Sequence, residues 1–201
     1  ALGYTLVYGI LRMINFAHSE VFMSGPFTAV FLAKYLDNIG FYNAYPIISL
    51  ILITVLSAAV SVTVALLLER VAYRRLRYAP RLVPLITAIG ASFFLQYTFR
   101  GLYGNDPETY PRLDILRGTV SIGSIEIPKT DLVVIISGFV LMLLLYLIVQ
   151  KTKTGKAMRS VSEDKEVSSL MGINVDKIIV FTFGLGGASA GIAGILYALI
   201  F

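Results

Sequence analysis

The sequence predicts an all-α fold: a polytopic bundle of membrane-crossing helices. Three observations carry this. The 201 residues are 57% hydrophobic and 14% charged, with a mean hydropathy of +0.79, more apolar surface than a soluble domain of this size can hide. Long runs carry no charge at all: Pro46 to Leu68, Leu82 to Phe99, Leu132 to Val149 and Ile178 to Phe201. Each has roughly the 18 or more residues that cross a hydrocarbon core of about 30 Å as a helix. Finally, both faces of these runs are apolar, so the alternation of a membrane barrel is absent, and a backbone in lipid must satisfy its own hydrogen bonds, which favours helices.

Taken in order, Ala1 to Leu11 is apolar but too short to span alone. The chain therefore reads as a single transmembrane domain over residues 1–201, truncated at one or both ends. A polar knot follows, with Arg12, Asn15, His18, Ser19 and Glu20. The next apolar run, Val21 to Leu36, contains Gly25-Pro26. Proline removes a backbone donor, so a kink or break is expected there. Residues 37–45 are polar and aromatic, as at a membrane interface. The loop 100–131 is rich in Gly, Pro and charge. Within it Val120, Ile122, Ile125 and Ile127 alternate around Gly123-Ser124, the pattern of a small hairpin with a glycine-first turn or of an irregular loop.

Counting spans places loops 12–20, 69–81 and 151–177 on one side. That side holds Arg12, then Arg70, Arg74, Arg75, Arg77 and Arg81, then Lys151, Lys153, Lys156, Arg159, Lys165 and Lys177. The other side holds Arg100, Arg112, Arg117 and Lys129, with Lys34 near the boundary. The positive-inside rule makes the 151–177 loop cytoplasmic and the 100–131 loop periplasmic. The same rule accounts for the net charge of +5, so no nucleic-acid partner is implied.

The polar insert 151–177 reads as containing a short helix over 163–172. Ser160-Val-Ser-Glu163 is a candidate capping box, and Ser162 an alternative cap. Glu163 and Asp164 then favour the positive helix end. Val167, Leu170 and Met171 form one apolar stripe at i, i+3 and i+4. Gly172 stops the helix and Asn174 caps the next. Two helical turns are unstable alone in water, so the stripe needs either a groove on another chain or a lipid surface.

Several polar side chains lie in or near the spans. Asn15, His18 and Glu20 suit packing, capping, gating or lining a path, since polar groups in a membrane tend to face a cavity. One His and no Cys argue against a metal site. Ser92 and Gln96, one helical turn apart, suit interhelical hydrogen bonding or pore lining. In the last span Gly187 with Gly191, and Ala190 with Gly194, are small residues four apart that permit close helix contact. No nucleotide-binding Gly-x-x-x-x-Gly-Lys-Ser/Thr is present, since Gly155-Lys156 is followed by Ala157. No catalytic constellation is present either, so the chain does not read as an enzyme, and no cofactor is implied.

A resemblance gives these features a context. Arg12-Met-Ile-Asn-Phe-Ala-His-Ser-Glu-Val-Phe-Met23, Glu69-Arg-Val-Ala-Tyr-Arg-Arg-Leu-Arg77 and Thr154-Gly-Lys-Ala-Met-Arg-Ser-Val-Ser-Glu-Asp164, followed by residues 170–176, resemble the signatures of the branched-chain amino acid ABC permeases in the family's order. Glu166-Val-Ser-x-x-x-Gly172 resembles the loop by which such permeases grip their ATPase. The family usually carries Gly at Ser19, Pro at Arg75, and alanines at Val167 and Ser168. The resemblance implies a multi-pass permease of the bacterial inner membrane that imports leucine, isoleucine and valine. It implies ABC ATPase subunits, a second permease subunit and a periplasmic binding protein as partners, besides membrane lipid. The ATPase contact would comprise Glu163, Asp164, Glu166, Val167, Ser168, Leu170, Met171 and Gly172. Urea and short-amide permeases share these signatures, and an ion-coupled secondary transporter is the rival from another class. Such carriers place ionisable groups within their spans, and the uncharged runs here have none.

Overall fold

The computed structural model describes residues 2–11, 15–76, 79, 82–104, 106, 108–122 and 125–200. The helices are α1 (Leu2–Leu11), α2 (His18–Asn38), α3 (Phe41–Ala44), α4 (Pro46–Leu68), α5 (Leu82–Tyr103), α6 (Lys129–Lys151), α7 (Lys153–Glu163), α8 (Lys165–Leu170) and α9 (Val175–Ala198). One hairpin joins β1 (Thr119–Ile122) to β2 (Ile125–Pro128). The strands pair antiparallel, with Val120 opposite Ile127 and Ile122 opposite Ile125. The hairpin alternative of the sequence is thus the one found, and its turn residues 123–124 lie outside the described residues.

The uncharged runs form helices, and among the described residues four helical segments are long and apolar enough to cross a membrane: Pro46–Leu76, Leu82–Tyr103, Lys129–Lys151 and Val175–Ala198. Their ends are marked locally. Pro46 opens α4 at a position where no backbone donor is needed. Asp131 and Lys151 sit at the ends of α6 that complement its dipole. Beyond Leu68 the helix winds on through a π turn at Glu69–Tyr73 and a 3-10 turn at Arg74–Leu76.

Helices α2, α4 and α9 form the centre. Lipid gives helices no hydrophobic reason to associate, so small residues and interhelical hydrogen bonds decide the contacts. Here Ser57 Oγ donates to the Gly191 carbonyl at 2.8 Å, and Ser61 Oγ to the Val21 carbonyl at 2.9 Å. A Cβ at Gly191 would lie 2.7 Å from Ala58 Cα and from the Ser57 oxygen, and one at Gly187 would lie 2.9 Å from Ala65 Cβ. The small-residue stripe of α9 is therefore a packing face. Around this centre α5 and α6 turn apolar rows outward, including Phe93, Phe94 and Tyr97 on one and Phe139, Leu143 and Tyr146 on the other.

Two expectations are refined. Of the kink or break expected at Pro26, a break is not found, and α2 runs unbroken from His18 to Asn38. The ring is seated against α9: a Cβ at Gly194 would lie 2.6 Å from Pro26 Cγ and 2.9 Å from the Phe22 oxygen. That oxygen is the acceptor the proline leaves without its i+4 donor, and membrane helices tolerate proline where neighbouring helices support the site. The polar knot is also shorter than expected. His18, Ser19 and Glu20 form the first turn of α2, while Arg12 lies outside the described residues.

The two ends of the bundle are distinct. Ile10 packs with Met158, Val161 and Ile178 at one end, and Asn15 meets Tyr73 there. At the other, Lys34 meets Glu108 and Asn43 meets Asp114. The first end carries the basic α4–α5 and α6–α9 connections.

Candidate functional site

The α6–α9 connection is built residue by residue. Thr152 caps α7, its Oγ1 accepting from the Gly155 amide at 3.0 Å. A Cβ at Gly155 would collide with the carbonyl oxygens of Ile148 and Val149, so α7 folds straight back on the end of α6. Met158 and Val161 bury the inner face of α7 against Ile10 and Ile178. Asp164 then leaves helical geometry at φ −147 and caps α8, its Oδ1 accepting from Glu166 N at 2.8 Å and Val167 N at 3.0 Å. The single helix expected over 163–172 is therefore two helices split at Asp164, with Glu163 ending the first. Neither Ser160 nor Ser162 is the cap. Ser162 donates to the Arg159 carbonyl, and the Ser160 hydroxyl pairs with that of Ser168 at 2.8 Å. A carboxylate on extended backbone serves two amides at once, which a serine inside α7 cannot do.

The far end of α8 closes as expected. Gly172 takes φ +81, a conformation that suits glycine. Ile173 N bonds the Ser168 carbonyl at 3.1 Å, the outer bond of a Schellman motif. Asn174 Oδ1 accepts from Lys177 N at 3.0 Å and starts α9. Ser168 is buried, so α8 is held by one face. Its other face presents Val167, Leu170 and Met171, which are 53%, 87% and 78% exposed. Glu163, Asp164 and Glu166 are exposed beside them.

The polar residues of the first end separate into two sets. Buried Asn15 accepts a 2.8 Å hydrogen bond from the Tyr73 hydroxyl, and the Tyr73 ring packs on Phe183. His18 leans toward α1 and α9, its ring 6.0 Å from that of Tyr4. With Asn15 and Ser189 it lines an open, mostly apolar cavity of about 860 Å³ between α1, α2, α6 and α9. Glu20 turns away toward α5, accepting from Ser92 Oγ at 2.9 Å and Ser19 Oγ at 3.3 Å. Ser92 thus makes an interhelical hydrogen bond, while Gln96 is exposed on the outer surface of α5 and does not join it.

A third group was not anticipated. Residues 108–114 lie as a strap across the C-terminal half of α2 and onto α3. The Tyr110 hydroxyl donates to the Pro26 carbonyl, Glu108 pairs with Lys34, and the Asp114 amide donates to Asn43 Oδ1 at 3.1 Å. Burial pushes the Tyr110 phenol above its ordinary pKa, so it stays a neutral donor. Beneath the strap is a cavity of about 330 Å³. The available signal was Lys34, a single base in an otherwise apolar helical run.

Comparison with known proteins agrees with this architecture. The chain is 36% identical to the high-affinity branched-chain amino acid transport system permease protein BraD of Pseudomonas aeruginosa, over 99% of this chain and 65% of that protein. It is 37% identical to the corresponding LivH of Salmonella typhimurium, over 98% of this chain and 64% of that protein. It is 27% identical to a probable branched-chain amino acid transport permease protein LivH of Methanocaldococcus jannaschii, over 96% and 59%. The chain thus spans somewhat less than two thirds of the length of these relatives. No solved structure matches it. The family model described as branched-chain amino acid transport system / permease component matches residues 1–201 from end to end, and with its bundle of membrane-capable helices the chain belongs to that family.

Proposed function

We propose that the protein is the membrane-embedded permease of an ABC importer for branched-chain amino acids in the bacterial inner membrane. A separate ATPase drives it, a periplasmic binding protein delivers the substrate, and a second permease subunit completes the pathway. The observation that carries the reading is the outward face of α8. Val167, Leu170 and Met171 project from a short helix that is capped at both ends and anchored through buried Ser168. Such a rigid apolar knob, rimmed by Glu163, Asp164 and Glu166, suits a groove on an ATPase. Because α7 packs between α1, α6 and α9, a push on α8 reaches α1 and two spans.

Burying a side chain the size of Leu or Met is worth about 1.5–3 kcal/mol, and central contacts dominate an interface while rim charges contribute little. Leu170→Asp is therefore expected to abolish co-purification of the ATPase, whereas Glu163→Ala leaves it. Substrate-stimulated ATP hydrolysis by the assembled complex checks coupling. Equal assembly by both variants would reject α8 as the docking element. Uptake of urea without uptake of leucine would reject the substrate.

A further inference from the structure

The ion pair at the outer end of α2 has a chemical pattern of its own. Lys34 and Glu108 are joined across 74 residues of sequence. Glu108 lines the 330 Å³ cavity, a size at the small end of the roughly 300–1,000 Å³ typical of ligand sites, and Lys34 is held beside it through the pair. Its walls are Met23, Pro26, Phe27 and Val30 of α2, Gly194 and Tyr197 of α9, and the strap from Glu108 to Tyr110. Met23, Phe27, Val30 and Lys34 recur at helical spacing, so the ammonium of Lys34 and the apolar wall share one face of α2. Glu108 is the charged residue among the cavity's lining groups. The site thus offers one cation, one anion and an apolar hole beside them.

We propose that this cavity binds a zwitterionic amino acid with a branched apolar side chain, with Lys34 holding the α-carboxylate, Glu108 the α-ammonium and the cavity the side chain. The proposal rests on the importer reading above and assigns it a substrate site on the permease at the outer mouth. Without substrate the two charges neutralise each other and hold the strap against α2. A zwitterion replaces that one pair by two, so no charge is left alone. A ligand with only one of the two charges would strand its unused partner, which is how such a site rejects it. The bonds of Tyr103 to Thr28 before Glu108, and of Tyr110 to Pro26 after it, hold the chain on either side while the pair opens.

The test uses the permease assembled with its ATPase, without binding protein, in nanodiscs. The chain carries no cysteine, so Met23→Cys places a single thiol in the cavity wall. Its modification by N-ethylmaleimide is expected to slow at least threefold with L-leucine. It is not expected to slow with leucinamide, which lacks the carboxylate, or with 4-methylpentanoate, which lacks the ammonium. Adding Lys34→Met or Glu108→Gln is expected to remove the protection. The decisive variant is the exchange, Lys34→Glu with Glu108→Lys, which keeps an ion pair and so keeps the strap. Exchanging the two charges about a fixed side-chain direction inverts the handedness required at Cα, so protection is expected to move from L-leucine to D-leucine. Retained protection by L-leucine in the exchanged pair, or equal protection by the singly charged analogues, would overturn the proposal and leave the pair as a latch. In proteoliposomes with the binding protein added, a parent complex that imports no leucine at all would instead overturn the importer reading. Import of leucine there, without protection of Met23→Cys in the nanodisc assay, would overturn the site alone.

Discussion

Single residues of the α2–α4–α9 centre are fixed by distance. At Gly191 a Cβ would meet the α4 backbone, at 2.7 Å from both Ala58 Cα and the Ser57 oxygen, and neither can swing away as a side chain would. Gly191 also supplies the carbonyl that Ser57 bonds. Gly191→Leu is therefore expected to cost at least the roughly 1–3 kcal/mol typical of overpacking, and to lower the thermal midpoint in detergent. Gly90→Leu is the control, because nothing lies within 4 Å of a Cβ there. Equal midpoints for the two would refute the close packing. The four-residue spacing of small side chains was legible in the sequence because backbone approach leaves a compositional trace. The partners were not, since Ser57 and Ser61 look like any serines until the opposing carbonyls are in place.

Among elements, the spans were legible because an uncharged run of sufficient length has few alternatives in lipid. The short helices α7 and α8 were harder. The two candidate caps, Ser160 and Ser162, lie within four residues of Asp164, so a Ser-x-x-Glu pattern competes with a carboxylate that the sequence marks only as a favourable charge. What separates them is the stripe of Met158 and Val161, which needs the core behind it to form α7. With α7 extended to Glu163, Asp164 alone has the extended backbone of a cap. Asp164→Ala is expected to cost about 0.5–2 kcal/mol of local stability, speeding amide exchange at Glu166 and Val167 and weakening ATPase assembly. Asp164→Asn, which keeps the acceptor, is expected to restore both. Unchanged exchange in Asp164→Ala would mean the cap does not hold α8. The strap was illegible for a different reason: its contacts join residues 71 to 84 positions apart, and no local pattern encodes them.

For the whole molecule, the charge bias and the fold bear on orientation by separate routes. The bias alone states that three basic connections prefer the cytoplasm. The fold independently gathers them at one end, through Ile10 with Met158 and Val161, and Asn15 with Tyr73. It gathers the α2–α4 and α5–α6 connections at the other, through Lys34 with Glu108 and Asn43 with Asp114. Reversing the protein would carry every basic connection outward together, since the ends are tied by packing and cannot invert singly. A cysteine at exposed Glu163 and one at exposed Asp106 are therefore expected to behave oppositely in intact spheroplasts. An impermeant maleimide is expected to label Asp106→Cys at once, and Glu163→Cys only after the membrane is permeabilised. Each labelled variant is also assayed for ATPase assembly, so that a misfolded protein is not read as an inverted one. Labelling of Glu163→Cys in intact spheroplasts, with assembly retained, would reverse the orientation. It would also place α8 beyond the reach of a cytoplasmic ATPase and the Lys34–Glu108 site on the inner face, so that both proposals would fail together.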